Sequence, residues 1–308
     1  MADLYTGGPD NVGGGILTRP FISGGWTWTG WDYRGEPTPY AWPNKNSHFG
    51  IMDLMGFWKD RTHWYASWFP LFNKGPDYKA KDSEIHLHAF PHWNWKVSGR
   101  RNGLVNIWSF SNAAEVELSV NGKLVSKQPM PKFSHVEWKV PFAKGSYTVT
   151  AYNEAGKSVG TKTVTTAGAP ASLKATIRDG VGETLFANCN DFGLVQVEVL
   201  DANGVTCPDA ENSDNVEITY SVSGTPTAWV EGTGNGDPSC GINNKSPMHP
   251  AYHGLALGVI GAGNATGTIT VTASAPGLKS SSVSMDVVKP DTTAKGFSRK
   301  WCSDAPKW

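Results

Sequence analysis

The chain has 308 residues, and its 27 basic and 27 acidic side chains cancel to a formal net charge of zero at pH 7. Nucleic acids and anionic membranes are bound largely through excess positive charge, so this balance excludes both as expected partners. No apolar run approaches the roughly 20 residues that span a membrane, and the opening residues MADLYTGGPDNVGGG lack the pattern of a signal peptide. The length predicts two or three domains of ordinary size.

The first distinctive segment, residues 24–53, mixes aromatic rings with polar side chains and with Gly and Pro turns. Seven of the chain's 14 Trp residues lie between positions 26 and 68. The rings in WTWTGWDYRGEP alternate with polar or charged neighbours, which favours a binding surface over a buried core. A pyranose needs this combination, because its C–H face stacks on an aromatic ring and its hydroxyls require directional partners. The predicted sugar-binding residues are Trp26, Trp28, Asp32, Tyr33, Arg34, Glu36 and His48.

The run GGWTWTGWDYRGEP at 24–37 resembles the eighth barrel strand of β-galactosidase-type enzymes of glycoside hydrolase family 2. The likeness continues through SHFGIMD at 47–53 and GFWKD at 56–60, with Trp26 standing where Phe is more usual. The resemblance implies the C-terminal portion of a retaining hydrolase that acts on β-galactosides without a metal or cofactor. It also implies that Trp28 stacks beside the scissile bond, while the polar side chains bind hydroxyls or hold the loop. An extracellular or periplasmic location is implied for the parent enzyme.

A retaining glycosidase requires two carboxyl groups about 5–5.5 Å apart, one as nucleophile and one as acid/base. The resemblance places both on earlier barrel strands, about one strand-plus-helix unit or more before Trp28. The only carboxylates that precede Trp28 are Asp3 and Asp10, and no Glu precedes Glu36. Neither family catalytic residue is therefore identified in this chain.

Three functions remain open. In the favoured one, residues 24–53 form an aromatic wall of a β-galactoside site that is completed by an N-terminal catalytic part. In the second, the chain is a small self-sufficient glycosidase that uses Glu36 with Asp32 or Asp53, because burial among rings raises a carboxyl pKa toward the general-acid range. The third is a non-catalytic carbohydrate-binding or accessory β-sandwich protein.

Residues 1–73 are predicted to be a remnant of the catalytic barrel. Within them, residues 24–31 suit a barrel strand, and WKDRTHWYASWF at 58–69 has helical spacing, with Trp64 and Trp68 one turn apart. A barrel strand without neighbours leaves its hydrogen-bonding edges unpaired. We therefore expect residues 1–70 to fold onto the first sandwich, to self-associate or to stay disordered.

The remainder predicts two immunoglobulin-like β-sandwiches, at 76–166 and 168–290, followed by a polar tail at 291–308. The fold class is thus mainly β, with a partial (β/α)8-barrel segment in front. Alternating apolar residues predict strands at 104–110, 114–125, 135–140 and 146–153, with a hairpin turn at Asn121-Gly122. In the second sandwich, strands are predicted at 171–177, 193–201, 216–222, 254–261 and 267–274. The segments PHWNW at 91–95 and EGTGNGDP at 231–238 resemble the corresponding sandwich domains of the same enzymes.

Several side chains raise the question of a metal site or a disulfide. No Cys-x-x-C pair occurs, which argues against a structural zinc site. The two remaining options are a disulfide between two of the three cysteines of the second sandwich and free buried thiols. Packing and turn formation are favoured over metal binding for the histidines and for the acidic turn, because neither set has regular ligand spacing. The residues concerned are Cys189, Cys207 and Cys240, with Cys302 in the tail; His86, His88 and His92; and Asp214, Asn235 and Asp237.

Overall fold

The computed structural model describes residues 19, 21–38, 40–75, 77–95, 103–178, 184–208, 216–224 and 227–289. The polar tail at 291–308, Asp3, Asp10, Asp214 and Cys302 lie outside these described residues. Within the described part, no helix is both long enough and apolar enough to cross a membrane. The chain divides into two compact units, Met1–Thr166 and Ala167–Trp308.

Helix α1 spans Asp60–Lys74 and ends at Gly75, whose φ of 96° lies outside the helical range. Its acidic first residue and basic last residue both complement the helix dipole. The helix predicted at 58–69 is confirmed, although it begins two residues later and continues past Pro70. Its buried face carries Trp64 and Trp68 at helical spacing, as the sequence predicted.

Among its described residues, the first unit has seven strands after α1 and a short 3-10 turn at Asp82–Glu84. They are β1 (Leu87–Phe90), β2 (Leu104–Ser111), β3 (Glu115–Val120), β4 (Lys123–Pro129), β5 (Val136–Pro141), β6 (Ser146–Tyr152) and β7 (Ser158–Thr165). They form two antiparallel sheets, β1-β2-β5 and β4-β3-β6-β7. The β3–β4 turn is at Asn121-Gly122, where both φ angles are positive, as the predicted hairpin requires.

The core of this unit joins helix and sheets. Trp64 and Trp68 of α1 belong to the same buried cluster as Trp93, Ile107 and Trp138 of the sandwich region. The expectation that the N-terminal segment folds onto the first sandwich is thereby confirmed for α1. Because the aromatic segment directly precedes α1, the packing of this helix anchors its C-terminal end.

In the described part of the second unit, nine strands surround a separate core. They are β8 (Pro170–Ile177), β9 (Thr184–Phe186), β10 (Phe192–Asp201), β11 (Glu217–Ser223), β12 (Trp229–Gly234), β13 (Met248–Pro250), β14 (Leu255–Gly261), β15 (Gly267–Ser274) and β16 (Ser281–Val288). Their sheet orders are β12-β14-β10-β8 and β13-β11-β15-β16-β9. Among the described pairs of strands in this unit, only β9–β16 is parallel. Paired sheets with interior apolar faces confirm the mainly β, sandwich-like fold class.

Two sequence predictions need correction. Residues 24–31 do not form a regular strand; beyond single bridges, such as Trp31 with Met52, they lack a continuous ladder. The barrel strand was inferred from residue pattern, but a strand also requires a full-length neighbour. Cys189 is disulfide-bonded, but its partner is neither Cys207 nor Cys240, because both of these are free of a disulfide; the bridge within this set of three is therefore wrong.

Candidate functional site

We call residues 24–53 the aromatic loop. Its two arms, 29–36 and 45–52, lie side by side. Near the base, the Ile51 N–H donates to the Thr29 carbonyl at 2.9 Å, and the Met52 N–H to the Gly30 carbonyl at 3.0 Å. Further out, the N–H groups of residues 35 and 47 bond to the carbonyls of 45 and 33, both at 2.9 Å. These bonds give the loop a defined backbone although it contains no regular strand.

Gly50 allows the two arms to approach. A Cβ atom at this position would lie 2.2 Å from the Asp32 nitrogen and 2.2 Å from the Met52 carbonyl oxygen. Such distances are far below van der Waals contact, so a side chain would force the arms apart. Glycine is required here for space, because the φ of Gly50 does not lie in the left-handed region.

Asp32 is a buried residue of the loop and is only 2% exposed. Its Oδ1 accepts the Gly50 N–H at 2.9 Å and the Lys59 ammonium at 2.7 Å. Of the two roles predicted for Asp32, this placement supports holding the loop over binding a hydroxyl. It also gives the carboxylate a cationic partner, which a buried charge requires.

The aromatic side chains of the loop are turned toward solvent. Trp26 is 102% exposed, Trp42 is 90% exposed and Trp28 is 72% exposed, while Trp31 and Tyr40 are about half exposed. A buried-core explanation of this Trp cluster is therefore excluded for these residues. Flat apolar faces gathered on one surface segment are typical of ligand or partner contact.

A chain of hydrogen bonds orients one of these rings. The Trp28 indole Nε1–H donates to the Tyr33 hydroxyl at 3.2 Å, and that hydroxyl donates to Glu36 Oε2. The structure thus brings together three of the predicted sugar-binding residues. Tyr33 and Glu36 therefore restrain the orientation of the Trp28 indole, although this ring is exposed to solvent.

A second group forms around His48. Its Nε2 lies 2.8 Å from Asn46 Nδ2, and its ring packs edge-to-face with Tyr40, with 5.6 Å between centroids. Arg34 pairs with Asn46 through the backbone. Trp26 lies on the same loop, and its side chain is fully exposed.

Asp53 has an environment unlike those of the other two candidate carboxyls. Burial raises the pKa of Asp53 to about 6. The N–H groups of Phe57 and Met55, which donate to its carboxylate, lower this pKa, and the negative charge of Asp32 raises it. A carboxyl with this pKa is partly protonated near neutrality and is able to donate a proton. Glu36 instead accepts from Tyr33, and Asp32 is ion-paired with Lys59.

The start of α1 supplies contacts that the sequence reasoning missed. Arg61 donates to the Phe49 carbonyl at 3.2 Å, the Thr62 hydroxyl donates to the Ile51 carbonyl, and the Lys59 N–H donates to that same carbonyl at 3.1 Å. The only signal in the sequence was a polar run, KDRT at 59–62, at the beginning of a predicted helix. These residues fasten the second arm of the loop to α1.

In the part of the chain that the structure describes, no group of three or more His, Cys, Asp or Glu side chains is arranged to hold a metal ion. His86 and His88 instead pack with His63, and His92 stacks on Trp95 at 4.3 Å between centroids. Asp237 Oδ1 accepts the Ser239 N–H at 2.8 Å, which is a turn contact.

Two family models match the chain. Residues 181–284 match "Glycoside hydrolase family 2 C-terminal domain 5", and residues 102–160 match a domain of unknown function, DUF4982. The two segments lie in the second and first units respectively. Both matched regions are therefore β-sandwich parts of the chain, outside the aromatic loop.

Curated relatives show the same likeness over a longer stretch. The chain is 39% identical over 267 residues to "Beta-galactosidase BoGH2A" of Bacteroides ovatus, which covers 86% of this chain and 28% of the relative. It is 31% identical over 208 residues to a "Beta-glucuronidase" of Formosa agariphila, which covers 66% of this chain and 19% of that protein. The chain thus spans less than a third of the length of either relative.

Solved structures share the fold. A glycosyl hydrolase family 2 member from Bacteroides cellulosilyticus superposes with a TM-score of 0.73 at 22% identity, over 91% of this chain and 38% of that chain. A beta-glycosidase from Bacteroides vulgatus gives a TM-score of 0.70 at 23% identity, over 84% and 30%. At these identities the similarity shows the architecture alone.

Proposed function

We propose, from the premise that the chain belongs to glycoside hydrolase family 2, that its aromatic loop forms one wall of the sugar site of a retaining, β-galactosidase-like hydrolase. The chain carries a C-terminal domain of that family. Its partner molecules are then a β-galactoside and the part of the catalytic barrel that holds the two reacting carboxyls.

The observation that carries this proposal is the state of Trp28. Its indole is 72% exposed, yet its orientation is held by the Tyr33 hydroxyl and, through it, by Glu36. An exposed ring with no binding role gains little from such a network, because water satisfies an indole N–H equally well. A ring that must meet a sugar face gains preorganisation, which lowers the entropic cost of binding.

In the proposed site the wall binds and orients, and bond cleavage belongs to the barrel carboxyls. Trp28 stacks on the sugar beside the scissile bond, while Glu36 and His48 receive hydroxyl hydrogen bonds. One barrel carboxyl protonates the leaving oxygen and the other forms a covalent glycosyl intermediate that water hydrolyses. The residues of this chain position the sugar, because small displacements of a bound substrate strongly lower the rate of bond cleavage.

A second candidate function is retained because of Asp53. Its pKa of about 6 is suited to a general acid, so a self-sufficient glycosidase would combine Asp53 with Glu36 as nucleophile. The accessory, non-catalytic function is the third possibility, and it uses the same exposed rings without turnover.

Binding and turnover assays on the 308-residue chain separate these functions. We expect an aryl β-galactoside to bind without hydrolysis, and Trp28→Ala to weaken binding about tenfold or more, since a lost aromatic contact of this kind costs about 1–3 kcal/mol. Phe69→Ala is the control, because Phe69 is a half-exposed aromatic of α1 outside the loop.

Turnover by the chain alone that disappears in Glu36→Gln and in Asp53→Asn would support the self-sufficient enzyme. Adding a catalytic barrel from a family 2 relative tests the favoured function directly, with activity expected only when the loop is intact. Absence of any sugar binding, or equal losses in Trp28→Ala and Phe69→Ala, would contradict a sugar-binding wall.

A further inference from the structure

Lys59 makes an unusual set of contacts just before α1. Its ammonium donates to Asp32 Oδ1 at 2.7 Å and to the carbonyls of His48 and Gly50, both at 3.1 Å. An ammonium group has three N–H donors, so all three are used within the protein. The Lys59 side chain is 30% exposed and the Asp32 side chain 2% exposed, which makes this a largely buried ion pair.

The three acceptors lie on different arms of the aromatic loop. Asp32 belongs to the first arm, next to Tyr33, whose hydroxyl orients Trp28. His48 and Gly50 belong to the second arm, and the His48 ring packs against Tyr40. One ammonium therefore adds a side-chain link between the Trp28 arm and the His48 arm, beside the backbone bonds that already join them. These arms carry the two groups that a bound sugar would touch.

The second arm has other attachments. Arg61 and Thr62 bond to the carbonyls of residues 49 and 51, so that arm remains fastened to α1 without the Lys59 side chain. For the buried Asp32 carboxylate, Lys59 is the cationic partner that links it to α1. We expect loss of the ammonium to shift the two arms within the limits that their backbone bonds allow, while α1 and the sandwich core stay packed.

We propose that Lys59 is a positioning residue of the sugar site, which holds the Trp28 arm at its correct distance from the His48 arm. This inference rests on the proposed sugar-binding function of the loop. The Lys59 ammonium contacts Asp32 and the backbone carbonyls of His48 and Gly50, and it acts on a sugar only through these groups.

The test compares Lys59→Met with the double variant Asp32→Asn/Lys59→Met in the complete chain. Lys59→Met removes the ammonium and leaves a buried, unpaired carboxylate, which is destabilising. The double variant removes that charge as well. If Lys59 acts only on stability, the double variant restores both stability and binding. If it positions the loop, we expect thermal stability to recover while affinity for methyl β-galactoside stays about tenfold below that of the wild type.

Fluorine NMR on 5-fluorotryptophan-labelled protein gives an independent readout. In both variants the Trp28 and Trp31 signals are expected to shift, while those of the core residues Trp64 and Trp93 stay in place. Wild-type affinity in the double variant, or unshifted Trp28 and Trp31 signals, would overturn the positioning role. If the wild type binds no sugar, the proposed function fails, and the Trp28 and Trp31 signals still decide whether Lys59 positions the loop.

Discussion

At the scale of single residues, the aromatic loop depends on residues other than its exposed aromatic rings. Asp32 and Lys59 form its buried ion pair, and Gly50 provides the space in which the two arms meet. The sequence correctly predicted that the aromatic rings of this segment lie on the surface. It could not predict the Asp32–Lys59 contact, because the two residues lie 27 positions apart and only the folded loop brings them together.

Gly50→Ala tests the space requirement directly. The added methyl would lie 2.2 Å from the backbone nitrogen of Asp32 and 2.3 Å from the carbonyl carbon of Trp31, both on the first arm, and backbone atoms cannot move as a flexible side chain would. We expect the first unit to lose about 1–3 kcal/mol of stability, the usual cost of overpacking, and sugar binding to weaken with it. Thermal unfolding and a sugar titration measure the two effects.

Gly30→Ala is the matched control, because a Cβ at Gly30 meets nothing within 4 Å although the Gly30 carbonyl accepts one of the bonds between the arms. Equal behaviour of the two variants would show that the close approach at Gly50 is unimportant.

At the scale of elements, the sequence could predict the helices and strands whose residues show a regular periodicity. Helix α1 followed from the spacing of Trp64 and Trp68, and the β3–β4 hairpin from Asn121-Gly122. Strand β7 was missed because its side chains are mostly polar and exposed, so it lacks an apolar alternation. Strand β12 was missed because it contains two glycines, Gly232 and Gly234, and a register shift after Val230.

The junction of α1 with β1 contains three imidazoles. His63 on α1 lies 3.0 Å from His86, from Nδ1 to Nε2, and its ring stacks on His88 with 3.6 Å between centroids. His88 Nε2 in turn lies 2.8 Å from Asp60 Oδ1. Burial, with the neighbouring His88 and His86, lowers the pKa of His63 to about 3. A neutral His63 is therefore part of the packed junction.

This lowered pKa predicts acid sensitivity of the first unit. The unfolded chain binds a proton at His63 below pH about 6.5, whereas the folded chain resists it down to about 3. Stability is fully present above pH 6.5 and falls as the pH decreases through that window, by up to about 1 kcal/mol per pH unit after allowance for solvent screening. His63→Gln should flatten this slope in urea unfolding between pH 4 and about 7.

Asp53 titrates in an overlapping range with the opposite sign, since its raised pKa makes protonation favour the folded state. The comparison of wild type with His63→Gln cancels that contribution. His253→Gln, a substitution in the second unit, is the control and should leave the slope unchanged. A slope that is identical in wild type and His63→Gln would contradict the assignment.

At the scale of the whole molecule, the two units have separate buried clusters. Ile107 is fully buried in the first and Ile269 in the second, each at 0% exposure. The aromatic loop and α1 belong to the first unit, while the segment matched to the family's C-terminal domain belongs to the second. Stability of the candidate site should therefore follow the first core, because α1 is packed into that core.

Ile107→Ala and Ile269→Ala form a matched pair that tests this division. Each removes the same atoms from a fully buried site, so each should cost about 2–5 kcal/mol within its own unit. We expect Ile107→Ala to lower the temperature at which the loop tryptophans lose sugar binding, by several degrees on the usual relation between stability and Tm. Ile269→Ala should leave that temperature unchanged while destabilising the second unit, as hydrogen exchange of β14 and β15 would show. Equal effects of the two substitutions on sugar binding would mean that the second core also supports the loop, and that the site depends on the whole chain rather than on its first unit.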